Sequence, residues 1–370
     1  MKYIDGFRSL DAAAPLRQSL AELGAHVTAR RGPVRLMEVC GSHTMAIARF
    51  GIRDFLPEGV ELVSGPGCPV CVTEPGFLDA AIDLAHRGVI VATFGDLLRV
   101  PGSRSDLART RAAGGWIEVC QSPHRARELA RDHPDREVVF LAVGFETTIA
   151  PIAAMLAGAR RDGLDTLSLL TAFKLIPPVL AALAADPDLR IDGLLCPAHV
   201  SAIIGPETYG FLAADHGIAC VVAGFEPLDI LYGLEGLLRQ LVDEAPRVDN
   251  QYSRVVKPGG NPRAQALMAA CLEPVTAAWR GLGPIPGSGL GLRPELARYD
   301  AARRHGLTVR AGEVHPQCRC GAILKGLLSP DQCGLFGRTC HPEHPLGPCM
   351  VSQEGSCAAH FRYGRRSRQP

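Results

Sequence analysis

The sequence is poor in the features that mark membrane, nucleic-acid-binding and nucleotide-binding proteins. No apolar run approaches the roughly 20 residues that span a bilayer, and the net charge of +1 gives no attraction to nucleic acid or to an anionic membrane. Neither a Gly-x-Gly-x-x-Gly pattern nor a P-loop is present, so nucleotide binding has no motif support. The segment 1–20 carries charges and lacks the apolar core of a secretory signal, and we therefore expect a cytoplasmic protein.

Cysteine, by contrast, is abundant, with 13 residues in a chain of 370. Cytosolic cysteines bind metal or catalyse redox reactions more often than they build a disulfide framework. Six of them lie at or after Cys318, two form a Cys-x-x-Cys at Cys68 and Cys71, and Cys40 stands alone. This distribution predicts a metal cluster at one end of the molecule and reactive thiols at the other.

Strand-like and helix-like segments alternate over the first two thirds of the chain. Each β-branched run ends in a glycine-rich or polar loop and precedes a helix-compatible stretch; the runs are 35–39, 60–64, 89–94, 138–143, 167–171, 193–195 and 219–223. This alternation predicts βαβ units and parallel sheets. Ligands of such sheets bind beyond the carboxyl ends of the strands, where Cys40, the loop 65–71 and Glu146 are expected.

Changes in composition divide the chain into three predicted domains. A chain of 370 residues exceeds one ordinary core, and polar or proline-rich breaks occur near 122–134 and 245–262. We predict an α/β protein with two parallel-sheet domains that face a cleft and a smaller C-terminal domain, over 1–125, 126–245 and 246–370. In the last range, 263–279 predicts a helix, and 281–291 is rich in glycine and proline.

The terminal cysteines lack the spacing of zinc knuckles. Only Cys318 and Cys320 are close in sequence, and one intervening residue is too few for a knuckle. An iron–sulfur cluster accepts four thiolates at looser spacings because the cluster supplies the rigid core. Six cysteines would then leave a pair for a dithiol or disulfide beside the cluster. A structural zinc site with two inert cysteines stays open as the alternative.

The Cys-x-x-Cys predicts a redox pair. Its spacing lets the sulfurs of Cys68 and Cys71 meet without backbone movement, so the pair can cycle between dithiol and disulfide. Two prolines stiffen the loop, while Gly65 and Gly67 permit positive φ or the close approach of a partner. Half of a zinc site is the alternative, although the chain has no second Cys-x-x-Cys.

Three further positions are candidates for the same site as Cys40. A helix should open just after Cys40, and a helix N-terminus or an imidazolium of His43 would stabilise its thiolate as nucleophile or metal ligand. His199 follows a strand and could act as acid, base or ligand, with a structural histidine equally open. Glu146 fits either a ligand contact or a helix cap.

Several segments along nearly the whole chain carry a family resemblance. They are MEVCGSHT at 37–44, GPGCPVC at 65–71, FGD at 94–96, RVPGS at 99–103, VGFETT at 143–148, HVS at 199–201, GFEP at 224–227, GPCMVS at 347–352 and EGSCAA at 354–359. On these segments the chain resembles the HypD family of [NiFe] hydrogenase maturation factors.

The resemblance implies two α/β domains facing a cleft and a third domain that holds a [4Fe–4S] cluster. The family spacing Cys-x14-Cys-x6-Cys-x16-Cys implies four cluster ligands, namely Cys318, Cys333, Cys340 and Cys357. Cys320 and Cys349 are then the extra pair, placed to exchange electrons with the cluster. One departure, Ala198 in place of glycine, bears on the assignment of the following His199.

The resemblance also implies partners and a chemistry. The family works with HypC and HypE to build the Fe(CN)2CO unit, which reaches the hydrogenase large subunit through HypC. Cyanide arrives as a thiocyanate on a cysteine of HypE, and splitting S–CN into thiolate and cyanide consumes two electrons. A dithiol of Cys68 and Cys71 would supply both, and the cluster would recharge it. Cys40 would hold the transient iron together with a cysteine of HypC.

Two other functions would use some of the same cysteines. A cluster-dependent protein disulfide reductase needs no iron at Cys40, and a non-catalytic zinc-bearing scaffold needs no redox chemistry. Dithionite-sensitive colour with about four irons per chain would exclude the zinc scaffold. Infrared bands of metal-bound cyanide and CO would separate maturation from disulfide reduction.

Overall fold

Two parallel β-sheets and one β-hairpin organise the chain in a computed structural model that describes residues 5–8 and 10–364. The strands are β1 (Val34–Glu38), β2 (Val60–Ser64), β3 (Ile90–Phe94), β4 (Ile117–Cys120), β5 (Val138–Gly144), β6 (Leu167–Phe173), β7 (Gly193–Pro197), β8 (Ala219–Ala223), β9 (Val248–Asn250), β10 (Leu272–Trp279) and β11 (Gly283–Leu292). None of the helices in these ranges combines the length and low charge that a bilayer crossing requires.

Helices connect most of the strands. They are α1 (Leu10–Arg31), α2 (Gly41–Arg49), α3 (Pro75–His86), α4 (Leu107–Ala112), α5 (His124–Asp132), α6 (Glu146–Arg161), α7 (Ile176–Ala184), α8 (Ala198–Ile204), α9 (Gly210–His216), α10 (Pro227–Asp243), α11 (Pro262–Cys271), α12 (Ala301–Arg304), α13 (Cys320–Leu324), α14 (Pro348–Val351) and α15 (Ser356–Tyr363). From β1 to β9, every consecutive pair of strands is separated by at least one α-helix, as parallel pairing requires.

Both large sheets are parallel throughout. The first has the strand order β2-β1-β7-β8-β9, and the second has the order β4-β3-β5-β6. The predicted α/β fold with parallel sheets is therefore confirmed. Each of the seven predicted runs forms a strand, whereas β4, β9 and the hairpin were not predicted from the sequence.

The strand order does not follow the predicted boundary at residue 125. The chain leaves the first sheet after β2, builds the whole second sheet, and returns to the first sheet at β7. Strands β3 and β4 therefore lie in the second sheet although they precede that boundary. The ranges 1–125, 126–245 and 246–370 stay a prediction about separately folding domains.

One hydrophobic core joins both sheets to the cysteine-rich C-terminal region. It contains side chains of β1, β5 and β7 together with Trp279 and Ile323, all of which are buried. The opposite face of the first sheet is covered by α1 and α10, and that of the second sheet by α5 and α6. Continuous burial across the three parts fixes the positions of the loops at the strand ends.

The β10–β11 hairpin is the main difference from the sequence prediction. The predicted helix over 263–279 is wrong beyond Cys271, where α11 ends and β10 begins. Pro274 disfavours a helix interior, because it lacks a backbone N–H and clashes with the preceding turn. A Cβ atom on Gly289 of β11 would lie 2.7 Å from Ala277 Cβ and 2.9 Å from Phe173 O. Glycine at this position lets the hairpin pack closely against the second sheet.

Each sheet reverses its strand order at one point, where a crevice opens at the carboxyl ends of the strands. In the first sheet this point lies between β1 and β7, and in the second sheet between β3 and β5. Cys40 follows β1, His199 follows β7 and Glu146 follows β5. The fold thus places the sequence candidates where open α/β sheets bind ligands.

Candidate thiol and metal site

The Cys-x-x-Cys loop packs directly on Cys40. The N–H of Gly41 donates to Gly67 O at 2.7 Å. A Cβ atom on Gly67 would lie only 2.2 Å from the backbone nitrogen of Cys40, so only glycine fits there. Cys40 itself caps the N-terminus of α2 in an extended conformation and is 8% exposed.

Cys68 and Cys71 are joined in a disulfide in this structure. Their Cα atoms are 5.2 Å apart, and the N–H of Cys71 points at Cys68 Sγ at 3.2 Å. Both cysteines are buried in the core that the two sheets share. The spacing of the Cys-x-x-Cys thus brings the two sulfurs together in this loop.

The surroundings of Cys40 do not stabilise its thiolate, contrary to the prediction from the sequence. Burial, followed by the charges of Glu354 and Glu38, raises the pKa of the Cys40 thiol to about 12. The backbone N–H groups of His43 and Ser42 act in the opposite direction, as expected at a helix N-terminus, but they are outweighed. Without a cation to compensate it, the thiolate of Cys40 is disfavoured.

His43 does not supply that cation, and the prediction that its imidazolium stabilises the thiolate is wrong. Its Nε2 donates to the carbonyl oxygens of Ala223 and Gly224 at 3.1 and 2.9 Å, at the end of β8. Burial lowers the pKa of His43 to about 4, so the ring is neutral at physiological pH. His43 Nδ1 is buried and has no hydrogen-bond partner.

Phe225 brings the two candidate histidines together. Its ring stacks on His199 at a centroid distance of 4.0 Å and meets the ring of His43 at 4.8 Å. Burial lowers the pKa of His199, which also favours a neutral ring. Both histidines thus contact the same aromatic ring as uncharged groups.

Glu146 is a buried carboxyl group at the start of α6. Its Oε1 accepts a hydrogen bond from the N–H of Ile176 at 3.0 Å, so it satisfies the first turn of α7 rather than its own helix. Its Oε2 is buried and unpartnered. Burial raises the pKa of Glu146 from 4.5 to about 7.

We expect the stability of the protein to depend on pH through Glu146. Because the folded pKa is raised, its contribution is fully present below pH 4.5 and is lost as the pH rises through 7. At about 1.4 kcal/mol per pKa unit, the free energy of unfolding should fall by about 3 kcal/mol over this interval relative to Glu146→Gln. Denaturant unfolding at several pH values measures the difference.

Glu58→Gln is a matched control for this measurement, because Glu58 is exposed. Glu38 has a similarly raised pKa but is present in every protein compared, so its effect cancels. Equal pH profiles for wild type and Glu146→Gln would contradict the assignment of a buried, protonated carboxyl group.

Five of the terminal cysteines surround one small cavity. Its apolar walls include Ile323, Phe336 and Met350. Its thiols belong to Cys318, Cys320, Cys333, Cys340 and Cys357. Across the described ranges 5–8 and 10–364, no three His, Cys, Asp or Glu side chains are arranged to hold a single metal ion. The five thiols share the lining of one apolar cavity. Thiolate donors around an apolar cavity fit an iron–sulfur cluster.

Cys320 lies between the cavity and the remaining cysteine. Its sulfur is 3.2 Å from that of Cys318 and within hydrogen-bond reach of Cys349. Cys349 is fully buried and lies outside the cavity lining. The sequence-predicted pair Cys320 and Cys349 is therefore adjacent in space and next to the predicted ligands.

Two carboxyl groups beside Cys40 were missed in the sequence. Glu38 Oε2 accepts from the N–H of Cys40 at 3.1 Å, and its Oε1 accepts from the hydroxyl of Thr44. Glu354, from the cysteine-rich region, accepts from Ser42 Oγ at 2.9 Å and packs on Gly41. The only sequence signal for either residue is its presence in the segments MEVC and EGSC.

Together, the fold and the site define a cysteine-rich α/β protein with a buried thiol, a disulfide and a cysteine-lined cavity in one molecule. A family model named HypD, described as "Hydrogenase formation hypA family", matches residues 15–364. The chain belongs to the HypD family.

Curated relatives match over almost their full length. The "Hydrogenase maturation factor HypD" of Azotobacter vinelandii is 47% identical, with 99% of this chain and 98% of the relative covered. The "Hydrogenase expression/formation protein HupD" of Azotobacter chroococcum mcd 1 is 46% identical over the same shares. The "Hydrogenase maturation factor HypD" of Escherichia coli (strain K12) is 42% identical, with 98% of each chain covered.

Proposed function

We propose that this protein works in the cytoplasm as a scaffold and redox component that builds the Fe(CN)2CO unit of [NiFe] hydrogenase with HypC and HypE. Family membership supports the role in hydrogenase maturation. The contact that supports the detailed chemistry is that of Gly67 on Cys40, which places a disulfide loop against the proposed iron ligand.

Cys40 is the proposed acceptor of the iron, shared with a cysteine of HypC. With its pKa raised to about 12, the thiol stays protonated and poorly nucleophilic until a cation displaces the proton. The carboxyl groups of Glu38 and Glu354 lie beside it and offset the positive charge that iron brings. Thiolate is a soft ligand that suits iron carrying cyanide and CO.

Cys68 and Cys71 are the proposed source of the electrons for cyanide release. Cleavage of the thiocyanate on HypE takes two electrons and yields a thiolate and cyanide. Oxidation of the two thiols to the disulfide releases two electrons and two protons, so the steps balance. The disulfide seen in the structure is the product form of this step.

Cys318, Cys333, Cys340 and Cys357 are the proposed ligands of a [4Fe–4S] cluster. Such a cluster supplies single electrons, which can reduce a disulfide in two steps. Cys320 and Cys349 are the proposed relay beside it, because they touch each other and Cys320 touches Cys318.

Infrared spectroscopy tests the proposed function. The protein is copurified anaerobically with HypC and HypE and should show bands of iron-bound cyanide and CO. Protein that reduces disulfides but never carries these bands would instead support the cluster-dependent disulfide reductase.

A second test concerns the redox state of the loop. Thiol counting with an alkylating reagent should reveal two additional thiols after reduction, and peptide mapping should assign them to Cys68 and Cys71 because these sulfurs are already bonded. Cys120, buried at the end of β4, is the internal control, since its reactivity should not depend on the reductant. Full alkylation of the loop without reductant, under every oxidising condition tried, would exclude the redox role.

A further inference from the structure

The turn of the β10–β11 hairpin lies between the disulfide loop and the cysteine-lined cavity. On one side, the N–H of Arg280 donates to Val72 O at 2.8 Å, one residue after Cys71. On the other side, Gly281 has a φ of +80°, and a Cβ atom there would lie 2.4 Å from the Cα atom of Gly321. Gly321 directly follows Cys320, so this turn packs on both cysteine-bearing segments.

The side chain of Arg280 is buried, and two of its nitrogen atoms lack a hydrogen-bond partner. It is 3% exposed, and its Nε and Nη1 atoms are sealed from solvent with no hydrogen-bond partner. A buried guanidinium without partners costs several kcal/mol relative to a solvated one. Such a group persists only where a negative charge compensates it.

The carboxyl groups near Arg280 do not fully compensate its positive charge. Glu74 is the nearby carboxyl group, but it also interacts with Lys174, a second buried cation. Two cations thus share one carboxylate. Arg280 also lies at the floor of an outer groove with Arg99 and His315. Its Nε and Nη1 atoms are closed to solvent, however, so an ion in that groove cannot reach them.

Two residues that line this groove together with Arg280 adjoin the cysteine-lined cavity: Pro316 lies two residues before Cys318, and the N–H of Leu346 donates to Cys340 Sγ at 3.4 Å. The positive charge of Arg280 therefore lies beside the cavity thiols. Four thiolates around an iron–sulfur core leave a net negative charge, which is the compensation that the guanidinium lacks. Net charge and hydrogen bonds near the sulfurs are also what set the reduction potential of such a cluster.

We propose that Arg280 is a positioning residue whose buried positive charge compensates the cysteine-bound cluster and raises its reduction potential. The inference rests on the proposed [4Fe–4S] cluster of the preceding section. A nearby positive charge stabilises the added electron, so its removal makes reduction harder. The same residue ties the cavity to the disulfide loop through its backbone N–H, which substitution of the side chain leaves in place.

Two substitutions separate charge from shape. Arg280→Met removes the charge and keeps an unbranched side chain, whereas Arg280→Lys keeps the charge. Arg293→Met is the matched control, because Arg293 lies just past the far end of the same hairpin and its Nε has a hydrogen-bond partner, Ala269 O. Iron and sulfide content is measured first. Dithionite titration with viologen mediators then gives the midpoint potential of each full-length protein.

Arg280→Met should shift the oxidised-to-reduced equilibrium at least tenfold towards the oxidised form, which is about 59 mV for a one-electron couple. Arg280→Lys and Arg293→Met should stay close to wild type. Loss of the cluster in Arg280→Met with retention in Arg280→Lys also supports the proposal. An unchanged potential in Arg280→Met, or equal damage in Arg280→Lys, overturns it. Wild-type protein without iron and sulfide overturns the cluster assignment itself, and this inference with it.

Discussion

Replacement of Cys40 by alanine should reduce the infrared signal of iron-bound cyanide and CO to background in the complex with HypC and HypE. The side chain loses only its sulfur, and Cys40 is remote from the terminal cysteines in sequence. The fold and the iron–sulfur content should therefore stay at wild-type levels. The infrared bands and the iron and sulfide content of the same sample measure both effects.

Cys220→Ala is the matched control for this experiment. Cys220 is a fully buried cysteine of β8 in the same sheet, and it lies within the strand rather than at its carboxyl end. This control should keep the bands. A Cys40→Ala protein with the full infrared signal would show that another group holds the iron.

Serine substitution of the terminal cysteines should divide them into two groups. Loss of any proposed ligand should leave the cluster labile or absent; these ligands are Cys318, Cys333, Cys340 and Cys357. Serine at Cys320 or Cys349 should leave iron and sulfide near the wild-type content but slow reduction of the disulfide. Iron and sulfide analysis of the six single variants measures the first effect, and thiol counting after reduction measures the second.

Loss of the cluster should also lower the melting temperature. The cavity that the thiols surround has apolar walls. The regular elements of the described cysteine-rich region are short, namely α13, α14, α15 and a 3₁₀ helix at Pro330–Gln332. In such regions the free energy of metal binding contributes directly to the free energy of folding. Cys320 is the most informative position, because it lines the cavity together with the proposed ligands. If Cys320→Ser loses the cluster and Cys318→Ser keeps it, the two assignments must be exchanged.

The strands of this fold were predictable because their signal is local. Each predicted run is a short apolar stretch that ends near a glycine-rich or polar loop, and all seven runs form parallel strands. The interleaving of the two sheets was not predictable, since it depends on pairing between β1 and β7, which are distant in sequence. The hairpin was missed because β10 has helix-compatible residues, and its strand conformation depends on a glycine-rich partner.

The same distinction applies to the site. The cysteines were identified from residue type and spacing alone. Glu38, Glu354 and Arg280 have ordinary sequence contexts, and only their burial reveals a role. Burial also explains the error at His43, because packing against β8 turned the ring away from the thiol. The spacing of residues in the sequence indicates which side chains lie close to each other. Which of them are charged depends on burial, and burial is determined by contacts between distant parts of the chain.

The interleaved topology also determines when the surroundings of Cys40 can form during synthesis. Leu36 of β1 pairs with Gly193 of β7, and Glu354 packs on Gly41 from near the end of the described chain. At about 5–20 residues per second, a ribosome needs roughly 8–30 s to travel from the first of these strands to the second. The thiol therefore stays outside its finished surroundings on the nascent chain, and the proposed ability to receive iron would arise only after the segment that carries Glu354 has emerged.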